Sequence, residues 1–353
     1  MLQSNYKDRT LITLDNGISA EAYAPMILSA SRSTDIPAFY ADWFFKRLDK
    51  GYSVWTNPFN SQKSYISYNK VKFIVFWSKN PNPLIPYLGI LDNRDIGYYI
   101  QFTVNDYEKE GLERGVPPLT QRIDTFKYLV DRLGKGRVVW RFDPLILTDK
   151  IDVGSLLDKI SKIGDQLHNY TEKLVFSFAD ISTYKRVKSN MEAEGIKYKE
   201  WDKDTMYSFA KELSSLNNKW GLELSTCGER INLTNYSINK NHCIDDRLIA
   251  RFGYKHPELM EALGVEFITP SLFEEYDSRY FRLDDGRCAI ITKANIDKGQ
   301  RDVCGCMKSK DIGQYNTCPH LCEYCYANTS KMQAVTNWRT HKNNPYAETI
   351  TGI

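Results

Sequence analysis

No apolar run in this 353-residue chain approaches membrane-spanning length. The longest, such as Phe73 to Trp77, fall far short of the about 20 residues a spanning helix needs. Met1 to Gly17 mixes charges with short apolar pieces and lacks the h-region of a secretory signal. Neither a GxGxxG fingerprint nor a P-loop lysine motif occurs, so nucleotide binding by those two routes is unsupported. The five histidines form no spaced ligand set, and charge of one sign is not in excess: 47 Lys and Arg stand against 44 Asp and Glu, a net charge of +3. That balance neither requires nor excludes a nucleic-acid partner. No repeat of fixed period and no low-complexity tract is present, which argues against a solenoid or a disordered array. A content of 42% hydrophobic and 26% charged residues suits one large domain, or a domain with an appendage.

Cysteine, by contrast, is plentiful. Eight cysteines without a secretion signal point to a reducing cytoplasm, where thiols serve metals or catalysis rather than disulfides. Three of them stand in Cys318-Pro-His-Leu-Cys322-Glu-Tyr-Cys325. Eight cysteines placed at random over this length would give such a CxxxCxxC triplet in roughly one chain in a few hundred. Two chemistries fit it. Three thiolates can each bind one iron of a cubane cluster and leave the fourth iron open to a substrate or cofactor. Alternatively, His320 completes a Cys3His zinc tetrahedron, although within the loop it is better placed to shape the backbone.

Four more cysteines, Cys227, Cys243, Cys304 and Cys306, lie in the last third of the chain. The pair Cys304-Gly305-Cys306 can place two sulfurs on one site, with Gly305 relieving the tight turn. Four thiolates can ligate a second iron–sulfur cluster or a zinc ion; the plain reading is four buried thiols. Cys288, in the apolar run Cys288-Ala289-Ile290-Ile291, reads as a core residue.

Short apolar and β-branched runs recur at Met26 to Leu28, Val71 to Trp77, Tyr98 to Val104, Val138 to Phe142, Leu174 to Phe178 and Leu222 to Leu224. Helical spacing separates several of them: Ile123, Phe126, Val130 and Leu133; Val153 to Leu167 behind a capping Asp152; and Met206, Phe209, Ala210 and Leu213 after Asp204. The alternation predicts parallel βα units, and the spacing of the units suits a full or partial TIM-type barrel. Beyond about Leu224 it fades. Each predicted strand ends in polar residues, among them Ser31, Arg32 and Asp35, then Lys79, Thr103, Arg141 and Asp143. In a parallel barrel those ends build the active site. Arg32 and Asp35 read equally well as a plain ion pair. Arg141 and Asp143 would be costly inside a barrel unless paired or bound to a ligand.

The CxxxCxxC loop with Tyr324 before its last cysteine resembles the cluster loop of radical S-adenosylmethionine (SAM) enzymes. The stretch Cys318 to Asn328, the segment Ser29 to Tyr40 and the block Phe76-Trp77-Ser78-Lys79-Asn80-Pro81 together resemble an uncharacterised bacterial and phage family over most of the chain. In the radical SAM superfamily the open iron chelates the methionine moiety, and one electron then cleaves the sulfonium to a 5′-deoxyadenosyl radical. Further short matches resemble the spore photoproduct lyase-like branch: Ile74 to Lys79, Gln101-Phe102-Thr103 followed by Leu112-Glu113 and Arg122, and Arg141-Phe142-Asp143-Pro144. That branch carries its cluster loop after the first barrel strand, whereas here the loop stands near the end. The resemblance therefore implies a circular permutation, in which the usual first strand lies at the C-terminus and packs beside the strand at Met26.

What the resemblance implies is a cytoplasmic radical SAM enzyme with an N-terminal extension over residues 1–23. A βα barrel follows over 24–226, and a cysteine-rich region over 227–353 completes the barrel. Cys318, Cys322 and Cys325 would hold the SAM cluster; beside the resemblance, the Cys304-Gly305-Cys306 pair and the cysteine count predict that Cys227, Cys243, Cys304 and Cys306 hold a second metal group, an auxiliary [4Fe–4S] cluster in preference to zinc. Ser31, Arg32, Lys79, Thr103, Arg141 and Tyr324 would line the SAM pocket. An electron donor such as flavodoxin or ferredoxin would supply the electron, and the branch tilts the substrate towards a nucleotide or nucleic acid. The rival is a zinc-stabilised nucleic-acid or protein-binding module without catalysis.

Overall fold

The computed structural model describes residues 9–57, 60–269, 279–300 and 302–353. Eight short strands carry its central sheet: β1 (Ile27–Ala30), β2 (Phe73–Ser78), β3 (Gly97–Thr103), β4 (Val138–Leu145), β5 (Lys173–Phe178), β6 (Glu223–Thr226), β7 (Ile238–Lys240) and β8 (Lys310–Asp311). In space they run β8-β1-β2-β3-β4-β5-β6-β7, with every neighbouring pair parallel. Among the described residues β7 and β8 are its two edges, so the α/β architecture has the form of a partial barrel.

Seven strands follow chain order. The last breaks it: β8 pairs with β1, Lys310 opposite Leu28 and Asp311 opposite Ser29. The expected juxtaposition of a C-terminal strand with the strand after Met26 is thus what the backbone shows. All strands point the same way, so their C-terminal ends gather on one side of the sheet.

The strands read as continuous apolar runs because both faces are covered; all four residues of β1 are buried. The covering helices include α1 (Ala41–Lys50), α2 (Leu119–Leu133), α3 (Val153–Leu167), α4 (Lys203–Asn217), α5 (Asp246–Gly253) and α6 (Lys331–Asn343). On α3 the residues Leu156, Leu157, Ile160, Ile163 and Leu167 are buried, each contributing roughly 1.5–3 kcal/mol when fully withdrawn from water. Asp152 caps α3 by accepting from the Ser155 N–H at 2.8 Å. α4 starts one turn earlier than its apolar spacing suggests, because Asp202 rather than Asp204 accepts from the Thr205 N–H.

Two features go beyond the sequence-based expectation. Strand–helix alternation continues past Leu224, through β7 and α5. The three-residue strand Ile-Asn-Lys has one buried residue and two exposed ones, so its hydrophobic signal is too thin to notice. The N-terminal stretch is not a free extension from residue 9 onward. Arg9–Thr13 and Ser19–Tyr23 pair as an antiparallel hairpin and join Lys63–Ser67 and Tyr52–Thr56 in a four-stranded sheet.

Candidate functional site

Directly after β8, six residues carry the chain to Cys318, and the CxxxCxxC loop follows before α6 begins. The loop therefore sits at the C-terminal end of the sheet beside the polar end of β1. All eight cysteines are free. Burial pushes the thiols of Cys318, Cys322 and Cys325 up. Without a metal they would stand protonated at neutral pH, and binding one would release their protons.

Three contacts set the loop's backbone. Gly115 donates its N–H to the His320 carbonyl at 3.0 Å, and His320 Nδ1 meets the Gly115 carbonyl at 2.9 Å. A Cβ on Gly115 would stand 2.7 Å from the His320 oxygen and 2.8 Å from the Pro319 oxygen, so only glycine permits this approach. His320 Nε2 meets Asp35 Oδ2 at 2.9 Å. Both ring nitrogens are thereby engaged in holding the loop. Asp35 in turn accepts from Ser78 Oγ and from the Lys79 N–H, both at 2.7 Å. Of the two readings of Arg32 and Asp35, the plain ion pair between them does not form. Arg32 lies instead against Asp311, which accepts from its backbone N–H at 2.8 Å, and against Gln300 Oε1 at 2.9 Å.

The loop's Tyr324 opens into a buried polar network. Its hydroxyl donates to Glu113 and accepts from Lys79 Nζ at 2.8 Å. Lys79 also donates to Glu113 Oε1 at 2.8 Å. Burial works to raise the Glu113 carboxyl, but Lys79 and then Arg122, 3.7 Å from its other oxygen, hold it down at about 2. Burial likewise opposes the charge on Lys79, yet Glu113 and Cys322 raise its pKa. Asn105 Nδ2 reaches Glu113 at 3.0 Å and Tyr324 at 3.2 Å, while its oxygen accepts the Asp143 N–H at 2.9 Å. Asp143 Oδ2 accepts from Arg141 at 2.6 Å.

Arg141 leads to the other cysteines. Its guanidinium donates to Cys243 Sγ at 3.0 Å and to Gln101 Oε1 at 3.3 Å. Burial disfavours its charge, but Cys243 and Asp143 raise its pKa well above the usual range. Cys243 Sγ lies 3.2 Å from Cys227 Sγ, and Cys306 Sγ accepts from the N–H groups of Cys243 and Ile244 at 3.2 and 3.4 Å. The neighbouring Cys306 lowers the pKa of Cys304 to about 7. The fold thus brings Cys227, Cys243, Cys304 and Cys306 into one region, while Cys288, the fifth cysteine outside the loop, is separately buried on Cys288–Ile291. Gly305 is needed for a reason other than the expected turn. A Cβ there would collide with the His242 ring at 2.3 Å.

Among the described residues, no three or more His, Cys, Asp or Glu side chains surround a common point as a finished ion site. The fold supplies two cysteine groups joined by hydrogen bonds at one end of the sheet. Of the residues read as a SAM pocket, Lys79 and Tyr324 touch each other at the loop. Ser31 is buried, with its hydroxyl accepting from the Ser33 N–H at 2.9 Å. Thr103 is half-buried at the end of β3, in register with Arg141. Glu113, Asn105 and Asp311 complete the arrangement, outside the residues expected to line the SAM pocket. Glu113 had a local signal in Leu112-Glu113; Asp311 had none, because its role depends on β8 docking beside β1. Two surface clefts lie elsewhere. One of about 580 Å³ is lined by residues such as Asn82, Thr120 and Tyr128, and another of about 200 Å³ by residues such as Tyr98, Arg137 and Phe252.

The fold and site define a cysteine-rich α/β protein built on an open parallel sheet, with its chemistry gathered at the strand ends. Residues 27–327 match the family described as a domain of unknown function, DUF1848, and the chain belongs to that family. No curated protein matches it. A solved structure of a candidate alpha-L-fucosidase from Bacteroides thetaiotaomicron covers 74% of this chain and 98% of its own at 11% identity and a TM-score of 0.24. That likeness is too slight to bear on fold or reaction. Among the described residues, no helix is long and apolar enough to cross a membrane.

Proposed function

We propose that this chain is a radical SAM enzyme in which Cys318, Cys322 and Cys325 hold a [4Fe–4S] cluster, on a circularly permuted partial barrel. The observation that carries the reading is at His320. A Cys3His zinc site needs one of its ring nitrogens, and both are already engaged, by Asp35 and by the Gly115 carbonyl. Three buried thiols on one loop suit a cubane that keeps one iron open. The pairing of β8 with β1 supports the permuted order, since it puts this loop after the strand that precedes Ile27–Ala30 in space.

Held by Cys318, Cys322 and Cys325, such a cluster would supply the one electron that cleaves SAM, and a flavodoxin- or ferredoxin-type donor would renew it. The chain's own residues do the rest. Gly115, His320 and Asp35 fix the loop against the ends of β1 and β2. Lys79, held charged by Glu113, places a cation beside Cys322 and offsets the negative charge of a thiolate-bound cluster. Tyr324 and Asn105 present polar groups next to the loop for the ribose or the methionine head group, with Thr103 and Ser31 at neighbouring strand ends. Arg32 and Arg141 act as supports: one fixes β8 through Asp311, the other links Asp143 to Cys243. The substrate class this reading favours is a nucleotide or nucleic acid, on the resemblance to the spore photoproduct lyase-like branch.

The test is anaerobic reconstitution followed by assay of 5′-deoxyadenosine release under dithionite, with iron measured in parallel. Wild type should release it. The Cys318→Ala, Cys322→Ala, Cys325→Ala triple variant should release none and lose the low-temperature spin signal that shifts on adding SAM. An iron-replete wild type without 5′-deoxyadenosine, or a triple variant that keeps the signal, refutes the assignment.

A further inference from the structure

We infer that Cys227, Cys243, Cys304 and Cys306 form a second, structural metal site for a single zinc-class ion, which clamps the C-terminal part of the chain onto the parallel sheet. The inference is independent of the reading of Cys318, Cys322 and Cys325.

The four thiols come from three separate segments. Cys227 directly follows β6, Cys243 stands between β7 and α5, and Cys304 and Cys306 lie on the segment leading into β8. The sulfurs of Cys227 and Cys243 meet at 3.2 Å, Cys306 Sγ accepts the Cys243 backbone N–H at 3.2 Å, and Cys304 stands two residues before Cys306. Between bare thiols a meeting such as that of Cys227 and Cys243 is an S–H contact. A metal replaces that S–H contact and draws the sulfurs round one centre. The spacing of the first pair favours a single ion. A tetrahedral ion with sulfur at 2.3 Å sets neighbouring sulfurs about 3.8 Å apart. Cys227 and Cys243 stand 3.2 Å apart, close to that edge. A cubane binds each thiolate at a different iron and holds them well beyond contact.

The surroundings are those of ligands rather than of core thiols. Four N–H donors converge on two of the sulfurs. Arg141 Nη1 at 3.0 Å and Asn241 Nδ2 at 3.1 Å approach Cys243 Sγ; the backbone N–H groups of Cys243 and Ile244 approach Cys306 Sγ. Neutral thiols are weak acceptors, whereas metal-bound thiolates carry the charge that such donors offset. The backbone is bolted down as well: the Cys243 carbonyl accepts from Tyr99 Oη at 2.7 Å and Gln101 Nε2 at 2.9 Å. An apolar shell that includes Tyr99, Ile244, Phe252 and Met307 closes round it. The site's use follows from β8. That strand is only two residues long, yet it carries the CxxxCxxC loop; a metal at Cys304 and Cys306 anchors its approach to the sheet.

The experiment is metal analysis of full-length protein purified anaerobically without added metal. The Cys318→Ala, Cys322→Ala, Cys325→Ala variant should keep a single zinc per chain. A variant with serine at Cys227, Cys243, Cys304 and Cys306 should lose zinc. Zinc-free wild type, zinc retained in the serine variant, or iron with cluster absorbance retained in the alanine variant would each overturn the inference. Should the serine variant fail to fold, cobalt substitution of the alanine variant keeps the question decidable. Tetrahedral thiolate bands support the site, and octahedral cobalt refutes it.

Discussion

Replacing Glu113 by glutamine removes one charge from the network under the cysteine loop while keeping its shape. In the folded chain the carboxylate has no exposed surface and faces Lys79 at 2.8 Å and Arg122 at 3.7 Å. Its pKa falls from 4.5 to about 2, a shift worth roughly 3 kcal/mol at 1.36 kcal/mol per unit. Breaking a buried pair by removing one partner costs about 3–5 kcal/mol. Both routes point to a loss of roughly 3–4 kcal/mol in Glu113→Gln at neutral pH. The sign of the pH dependence is fixed. Because the folded pKa is depressed, the stabilisation is fully present above the unfolded value of 4.5. It is lost as pH falls towards 2. The gap between wild type and Glu113→Gln should therefore be level above about pH 5.5 and narrow steadily below 4.5. Urea unfolding of the metal-free, reduced protein at a series of pH values measures it. A gap under about 1 kcal/mol at pH 7, or one that widens in acid, refutes the view that Glu113 is the charged hub of the site.

Other substitutions probe the neighbours. Gly115→Ala puts a methyl group 2.7 Å from the His320 oxygen; it should cost about 1–3 kcal/mol and lower iron incorporation, and unchanged melting and iron content would show that the approach is not tight. His320→Ala should retain most of its iron while Cys322→Ala retains none, and equal loss in both would restore histidine as a ligand. Arg141→Ala should destabilise by about 3–5 kcal/mol by leaving Asp143 unpaired, and adding Asp143→Asn should recover part of it in a chemical-denaturation series. A double variant no more stable than the single one would place Arg141's role elsewhere.

Much of the fold is legible in local pattern. A buried strand must be apolar throughout and a surface helix apolar on one stripe, so β1 to β6 and α2 to α4 announce themselves, and Asp152 announces the start of α3. Sequence neighbours also declare the CxxxCxxC loop, because its ligand spacing is a property of one short segment. The strand β7 is silent, since two of its three residues face solvent.

What the sequence by itself determined, then, is which segments are strands and helices and where three thiols stand together. The tertiary structure alone decided partners. It put β8 beside β1, 279 to 282 positions apart in the pairs Arg32–Asp311 and Ser29–Asp311. It engaged His320 with Asp35, turned Arg32 to Asp311 rather than Asp35, and gathered Cys227, Cys243, Cys304 and Cys306. The physical reason is that periodicity records only whether a residue's own element is buried. Which charge or sulfur lies opposite depends on the element that docks alongside, and that is chosen by packing across the whole sheet.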